Sequence, residues 1–198
     1  QKVMFVEKNN KDALLVSLLR GAKIDKVLVF TRMKHLANRV VDHLKRSGIS
    51  AAAIHADKSQ TDRTNALAGF RTGKVRVLVA TDIAARGIDV DRITHVINYN
   101  LPNEAETYVH RIGRTARAGA EGDAISFCCG EDRDFLRDIE RLIRKQIAVD
   151  LDHPYHSAAA LNATGAAAKP APRQQHGQRQ RGHYPHGGHR QKGADRRR

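Results

Sequence analysis

Val75-Arg-Val-Leu-Val-Ala-Thr-Asp-Ile-Ala-Ala-Arg-Gly-Ile-Asp-Val90 decides the fold class. It opens as a β-branched run that is apolar at nearly every position, which suits a parallel strand covered on both faces. It then breaks into a turn offering the Thr81 hydroxyl, Asp82, Arg86, Gly87 and Asp89. Open α/β sheets place ligands beyond the C-terminal ends of their strands, so this turn is a first candidate site. Runs of the same kind recur at Val3–Val6, Val27–Phe30, Ala51–His55, His95–Tyr99 and Ala124–Cys129. Between them lie helix-length segments, Lys11–Leu19, Lys34–Ser47, Ser59–Arg71, Asn103–Arg111 and Asp132–Lys145. Leu36, Val40 and Leu44 stand at four-residue spacing with Gly48 as a stop, and Ser59-x-x-Asp62 resembles a capping box. Alternating strands and helices predict one α/β domain over residues 1–152, its sheet mostly parallel.

Thirty-five Lys and Arg against 21 Asp and Glu give a net charge of +14. Nine of the cations, six of the eleven histidines and a single acid, Asp195, fall in residues 153–198. That segment turns to Ala, Gly, Pro, Gln, His and Arg and lacks the apolar content to offset its ordering entropy, so a disordered basic tail is expected. Its arginines, interleaved with Gly, Gln and Tyr184, resemble RGG-like tails that contact RNA; a solubilising extension is the plainer alternative. His183, His186 and His189 recur every third residue, but without a fold to fix their geometry no metal site is assigned. The excess of cations points to a polyanion, nucleic acid before membrane. Apolar runs stop at four residues, whereas a membrane helix needs about 20. No secretory signal opens the chain, and the adjacent Cys128 and Cys129 make neither a spaced zinc site nor a disulfide framework, so cytoplasm is the expectation. Gln1 is not an initiator, and the chain reads as a piece of a longer one.

Self-sufficient catalytic motifs are missing from the sequence. The nearest approach to a phosphate-binding loop, Gly69-x-x-x-Gly73-Lys74-Val75, has one residue too few between its glycines, lacks the Ser/Thr and leads into a strand. A tight turn after a helix is its expected role. Tyr108-Val-His-Arg-Ile-Gly-Arg-Thr-Ala-Arg117 is more informative, because Arg114 and Arg117 sit one helical turn apart and can aim two guanidinium forks at one point. Paired forks suit a transferring phosphoryl group; a salt-bridged surface turn is the bland reading of a lone R-x-x-R.

Taken together, Val27-Leu-Val-Phe-Thr-Arg32, Ile54-His-Ala-Asp-Lys-Ser-Gln-Thr-Asp-Arg63 with Phe70, Ala80–Val90 and His110-Arg-Ile-Gly-Arg-Thr-Ala-Arg117 resemble, in order, the C-terminal RecA-like domain of DEAD-box RNA helicases. The resemblance runs from about Lys2 to Lys145 and looks closest to the bacterial RhlE-like group. It implies a RecA-like three-layer fold and half of a two-domain motor that closes around ATP, Mg²⁺ and single-stranded RNA. An N-terminal RecA-like domain would hold the P-loop, most of the ATP and the Mg²⁺. Arg114 and Arg117 would be arginine fingers to the γ-phosphate, Asp89 would accept from the ribose, and His110 would link that site to the RNA side. Thr31, Gln60, Arg63, Thr81 and Gly87 would line the RNA track, and no residue would be a metal ligand. Ala56 and Ala116 stand where family members commonly have Gly.

The resemblance therefore implies an ATP-dependent RNA helicase whose intact form hydrolyses ATP and engages single-stranded or duplex RNA, with other RNA-processing proteins as further partners and this chain inactive alone. A standalone RNA-binding or annealing module is the alternative from another class. An RRM or OB platform would need exposed strand aromatics, and Val27–Phe30 and Val75–Ala80 supply mainly Val and Leu. Phosphate contacts alone hardly separate RNA from DNA, so a DNA translocase of the wider superfamily stays open.

Overall fold

The computed structural model describes residues 1–21, 24–86, 88, 90, 93–115 and 122–164. Seven strands, β1 (Lys2–Phe5), β2 (Val27–Phe30), β3 (Ala51–Ile54), β4 (Val77–Ala80), β5 (His95–Asn98), β6 (Asp123–Cys128) and β7 (Ala148–Val149), form one sheet in the order β3-β4-β2-β5-β6-β1-β7. Every pairing in it is parallel. Seven α-helices accompany it among the described residues: α1 (Lys11–Leu19), α2 (Lys34–Arg46), α3 (Gln60–Thr72), α4 (Asp82–Ala85), α5 (Ala105–Ile112), α6 (Arg133–Ile143) and α7 (Ala158–Asn162). None of them is long and apolar enough to cross a membrane.

The unbroken apolar runs mark central strands. β2 pairs with β4 on one side and β5 on the other, and all four of its side chains are buried. Covering a Val, Leu or Phe on that scale contributes about 1.5–3 kcal/mol each. Val27 and Val29 face a cluster with Leu14, Leu15 and Leu19 of α1 and Val40 and Leu44 of α2. Leu28 and Phe30 face the other way, toward Ala66 and Phe70 of α3 and Ala84 and Ala85 of α4. Further along that second face, Val3, Phe5 and Cys128 meet Tyr108 of α5 and Leu136 and Ile139 of α6. The three-layer α/β architecture expected from the sequence is the one observed, with a sheet that is wholly parallel.

Helix α3 begins and ends as its sequence suggests. The Ser59 hydroxyl oxygen accepts from the Asp62 amide at 3.1 Å, and Gly73 closes the helix in the left-handed region at φ +81°. Gly69 is required by proximity, since a Cβ there would stand 2.9 Å from Val75 Cγ2. The Gly69–Lys74 stretch is thus the last turn of α3 and the start of the tight turn that leads to β4. The segment after β4, expected as a turn, contains α4.

The expected tail boundary needs correction. Residues 153–164, which the composition places in the disordered tail, are folded onto the body. Val6 and His156 form an antiparallel bridge, the Ser157 amide donates to the Phe5 carbonyl at 2.9 Å, and Ala160 is buried beside Val3 and Phe5. Ser157 also caps α7 and donates to the Glu7 carboxylate. Strand β7, likewise unforeseen, extends the sheet beyond β1 and is pinned by the Lys2–Asp150 pair at 3.2 Å. Backbone hydrogen bonds, the small buried Ala160 and Ala163 and the half-buried Tyr155 and Leu161 supply the docking, so low apolar content does not prevent it. The rest of the expected tail, 165–198, with His183, His186 and His189, lies outside the described residues.

A buried ionic network ties α1 to the 3₁₀ turn Gly130–Asp132 that follows β6. Lys11, 2% exposed, donates to Asp132 Oδ2 at 3.0 Å and to the Tyr99 carbonyl at 3.1 Å. Arg32 reaches Asp132 Oδ1 at 3.2 Å and the Leu101 carbonyl at 2.9 Å. Burial pushes the Asp132 carboxyl up, but Lys11, the Cys129 thiol and Arg32 together outweigh it and hold the group below the ordinary carboxylate value.

Two outcomes follow for stability. Truncation after Asp152 lowers the thermal midpoint relative to truncation after Thr164, because only the shorter chain loses the Ser157 and Ala160 contacts; differential scanning calorimetry of the two checks this. Asp132 has a depressed folded pKa, so its contribution is present above the unfolded value of 3.8 and is lost as pH falls through the folded one. The stability gap between wild type and Asp132→Asn is therefore full at neutral pH and narrows below pH 3.8, read from urea midpoints across the acid range.

Candidate functional site

A parallel sheet gathers the C-terminal ends of its strands on one edge, and the segments leaving β3, β4, β2 and β5 lie there side by side. β4 ends at Ala80, Thr81 is the N-cap of α4, and Asp82 is its first residue. β5 ends at Asn98 and leads through Asn100, Leu101 and Pro102 to α5.

Arg111 of α5 is the centre of this edge. Only 1% exposed, it places Nε 2.6 Å and Nη2 2.9 Å from the two Asp82 oxygens, a bidentate pair. Its Nη1 donates to Asn98 Oδ1 at 3.0 Å and to the Asn100 carbonyl at 2.7 Å. The guanidinium lies 4.9 Å from the Phe30 ring centroid. Asn98, itself buried, donates onward to Ser126 Oγ at 3.1 Å. Three strands, β2, β5 and β6, and two helices, α4 and α5, are thereby tied through Arg111 and Asn98.

Above this knot lies a cleft of about 380 Å³, lined in part by Arg86, His110, Arg111 and Arg114. Its carboxylate, Asp82, is already paired to Arg111, so the charge left in the lining is that of Arg86 and Arg114, which suits an anion. Arg114 does not lie on the helix as its spacing suggested: α5 ends at Ile112 with Gly113 as its C-cap, and Arg114 occupies the following turn. Its Nη1 donates to the Ile88 carbonyl at 3.3 Å. His110 is exposed at the cleft. Arg117, Asp89 and Gly87 fall outside the described residues.

The residues expected along a strand-binding track divide. β3 and β4 are neighbours, with Ile54 opposite Ala80, and the Thr81 amide donates to the Ile54 carbonyl at 3.4 Å. That pairing sets half-buried Thr81 next to the β3–α3 connection, from which exposed Gln60 and half-buried Arg63 arise in the first turn of α3. His55, 2% exposed, shares a 3.0 Å hydrogen bond with Asn38 Oδ1, and burial first, then Lys58, pulls its pKa down. Thr31 is different. It is fully buried, its hydroxyl donates to the Met33 carbonyl at 3.3 Å, and it shapes the turn into α2 instead of facing a ligand. The central position of β2 accounts for this, since the Thr31 amide is held by the Ala80 carbonyl at 3.0 Å.

Residues 10–119 match the family described as helicase conserved C-terminal domain. The chain belongs to that family, as the C-terminal domain of a DEAD-box helicase. An ATP-dependent RNA helicase RhlB of Xanthomonas oryzae pv. oryzae is 43% identical over 150 residues, which cover 76% of this chain and 26% of that relative. This helicase domain thus spans about a quarter of that curated relative's length. Among solved structures, the E. coli DEAD-box protein SrmB bound to regulator of ribonuclease activity A is similar at a TM-score of 0.76 and 35% identity, covering 80% of this chain and 94% of that one. S. cerevisiae Dbp5 bound to RNA and ADP BeF3 is similar at a TM-score of 0.70 and 30% identity, covering 75% and 40%.

Sequence reasoning missed Arg111 as a site residue although it lay inside the quoted motif. The available signal was its spacing: Ala105, Tyr108 and Arg111 recur every third residue, which puts an arginine on the face of the helicase domain's α5 that Tyr108 buries. A cation there demands a partner, which the structure shows to be Asp82 after β4. Replacing Arg111 with Met leaves the Asp82 carboxylate and Asn98 Oδ1 without their donor. The expected loss of folding stability is about 3 kcal/mol, measured by urea unfolding.

Proposed function

We propose that this domain is the second motor domain of an ATP-dependent RNA helicase, supplying arginines to ATP and one side of a single-stranded RNA track. The observation that carries the reading is the cleft lined by Arg86, His110 and Arg114 beside the start of α4, whose N-cap Thr81 is hydrogen-bonded to the end of β3, the strand that leads into α3 and Arg63. Arg114 and Arg117 reach the γ-phosphate of ATP when an N-terminal RecA-like domain closes on this edge. Charge spread over the phosphoryl oxygens in the transition state is what a guanidinium fork stabilises. Asp89 accepts from the ribose, and His110, exposed at the cleft, links the ATP side to the RNA side.

Among the described residues, no group of three His, Cys, Asp or Glu side chains is arranged to hold a metal ion. The Mg²⁺ that accompanies ATP is held by the P-loop and acidic residues of the N-terminal domain in this reading. On the RNA side Gln60, Arg63, Thr81 and Gly87 contact backbone phosphates, which position a strand without reading its sequence. Thr31 supports the turn behind them. Residues 165–198 carry nine cations against Asp195 and add sequence-independent phosphate contacts, so RNA binding weakens with salt. Work in the cytoplasm, with further RNA-processing proteins docking on the domain, belongs to the same reading. A standalone annealing module without ATPase activity is not favoured by membership of a helicase family.

The test is a steady-state ATPase titration against single-stranded RNA with the two-domain protein, its variants and this chain alone. The chain alone stays at background. Arg114→Lys lowers kcat by about 10³ or more, because a point-charge ammonium does not reproduce a planar fork. Arg63→Ala raises the RNA concentration needed for half-stimulation with a smaller fall in kcat, since its phosphate partner is present throughout binding. Near-normal kcat in Arg114→Lys, or RNA-stimulated turnover by the chain alone after a contamination control, overturns the assignment.

A further inference from the structure

Cations are handled differently on the two edges of the sheet. Lys8, Lys11, Arg32, Lys34, Arg39 and Arg111, toward the edge already described, are each paired with an acid at 2.6–3.5 Å. Helices α1, α2 and α3 run back against their strands and end on the opposite edge, where β2, β3 and β4 begin. Arg20 caps α1, Lys45 and Arg46 lie in the last turn of α2, Arg71 lies in the last turn of α3, and Lys74 follows its Gly73 cap. All five are exposed, and half-buried Lys26 at the start of β2 makes a sixth. Among the described residues Arg20, Lys45, Arg46 and Lys74 enter no salt bridge. The acids nearest them in the chain are Asp25 and Asp42.

Arg76 draws these ends together. Its Nε donates to the Ile24 carbonyl at 2.9 Å, its Nη2 to the Leu19 carbonyl, and its amide to Ser50 Oγ at 2.9 Å. Lys26 Nζ donates to the Arg71 carbonyl at 3.3 Å and lies 5.8 Å from the Phe70 ring centroid. The ends of α1 and α3 and the starts of β2, β3 and β4 are thereby fixed side by side. Carbonyls at a helix C-terminus favour a cation in the last turn, which accounts for Lys45, Arg46 and Arg71 one helix at a time. That effect does not account for Lys74, beyond the left-handed Gly73, nor for the shortage of acids across three helix ends.

We propose that this edge is a second RNA-backbone site, holding the flank of a single strand whose other part lies on Gln60, Arg63 and Thr81. It rests on the RNA reading of that track. Helix α3 joins the two, with Gln60 and Arg63 in its first turn and Arg71 in its last; its 13 residues, at 1.5 Å each, span about 20 Å. Thr64, Asn65, Ala68 and Thr72 are exposed along it. The sole acid of the helix, Asp62, accepts from the Ser59 hydroxyl at 2.8 Å at the track end, so the rest of α3 offers a polyanion no like charge. Phe70 is buried, so it offers bases no stacking platform, and phosphates are the groups held. Such contacts position a strand without reading its sequence.

The experiment uses the full 198-residue chain and two oligouridylates, one of about 6 nucleotides that fills the track and one of about 20 that reaches past it. Affinity is measured by fluorescence anisotropy across a salt series, for wild type and for the combined variant Lys45→Gln, Arg46→Gln, Lys74→Gln. On the longer RNA the variant's slope of log K against log[salt] is shallower by about 2, at about 0.7 for each lost phosphate contact. On the shorter RNA the slope is unchanged. The combined Lys45→Arg, Arg46→Lys, Lys74→Arg variant, which keeps every charge, matches wild type on both. A second measurement needs no substitution: in amine acetylation of wild type read by mass spectrometry, the longer RNA protects Lys45 and Lys74 and the shorter one does not.

An unchanged slope on the longer RNA overturns the proposal, and so does an equal fall on both RNAs, the mark of a diffuse field in place of a flank site. Lys45 and Lys74 left reactive under the longer RNA overturn it whatever the variants do. Protection by polyglutamate and not by RNA assigns the edge to an acidic protein, and the proposal fails. Arg63→Ala tells the two readings apart. If it leaves the shorter RNA bound as in wild type, the track reading fails and the shared strand with it; if it weakens the shorter RNA while the edge stays unprotected by the longer one, only the second site is wrong.

Discussion

One guanidinium holds the working edge of this domain together. Arg111 is drawn out of water between Phe30, Asn98 and α4, a position that would be strongly unfavourable for a cation without partners. It is tolerable because Asp82, Asn98 and the Asn100 carbonyl accept from it and an aromatic face lies against it. The cost of burial falls mainly on the arginine, since Asp82 keeps part of its exposure at the rim. Remove that pair and α4, α5 and the ends of β2, β4 and β5 have no common reference point.

The parallel sheet explains why such a knot exists at all. Every strand in it points the same way, so the helices that follow β2, β3 and β4 all present their N-termini on one edge, together with the free amides that favour anions. Polar residues collect where the chain leaves the sheet, and their charges must be paired or exposed. On one side of the edge Asp82 and Arg111 are paired; on the other Asp132 is paired with Lys11 and Arg32. Arg32 and Asn100 connect the two clusters, the Arg32 amide donating to Asn100 Oδ1 at 3.3 Å. With the acids consumed internally, the cleft around Arg114 is left cationic.

Membership of the DEAD-box family fits an edge that is prepared but incomplete. Arg86 and Arg114 line the cleft on that edge. The C-terminal segment works at a distance from this edge's chemistry, bracing β1 through His156 and Ser157 and packing α7 beside Val3 and Phe5.

The sequence by itself determined the class of fold, because continuous Val and Leu runs can be satisfied only between two layers of helix, and β2 and α1 begin and end where their residues predicted. It determined α3 as well, through Ser59 and Gly73, whose effects are local and need no distant partner. It also carried the motifs that name the family, since their order along the chain is a one-dimensional property. What it could not show is which polar side chains turn inward. Thr31 reads as a phosphate contact until the neighbours of β2 enclose it, and Arg111 reads as one basic residue among several until Asp82, Asn98 and Asn100 converge on it from other strands. Residues 153–164 look unfoldable for want of apolar side chains, yet the backbone groups offered by Phe5 and Val6 hold them. Burial and pairing depend on groups brought together from distant positions, and only the tertiary structure decided where those groups meet.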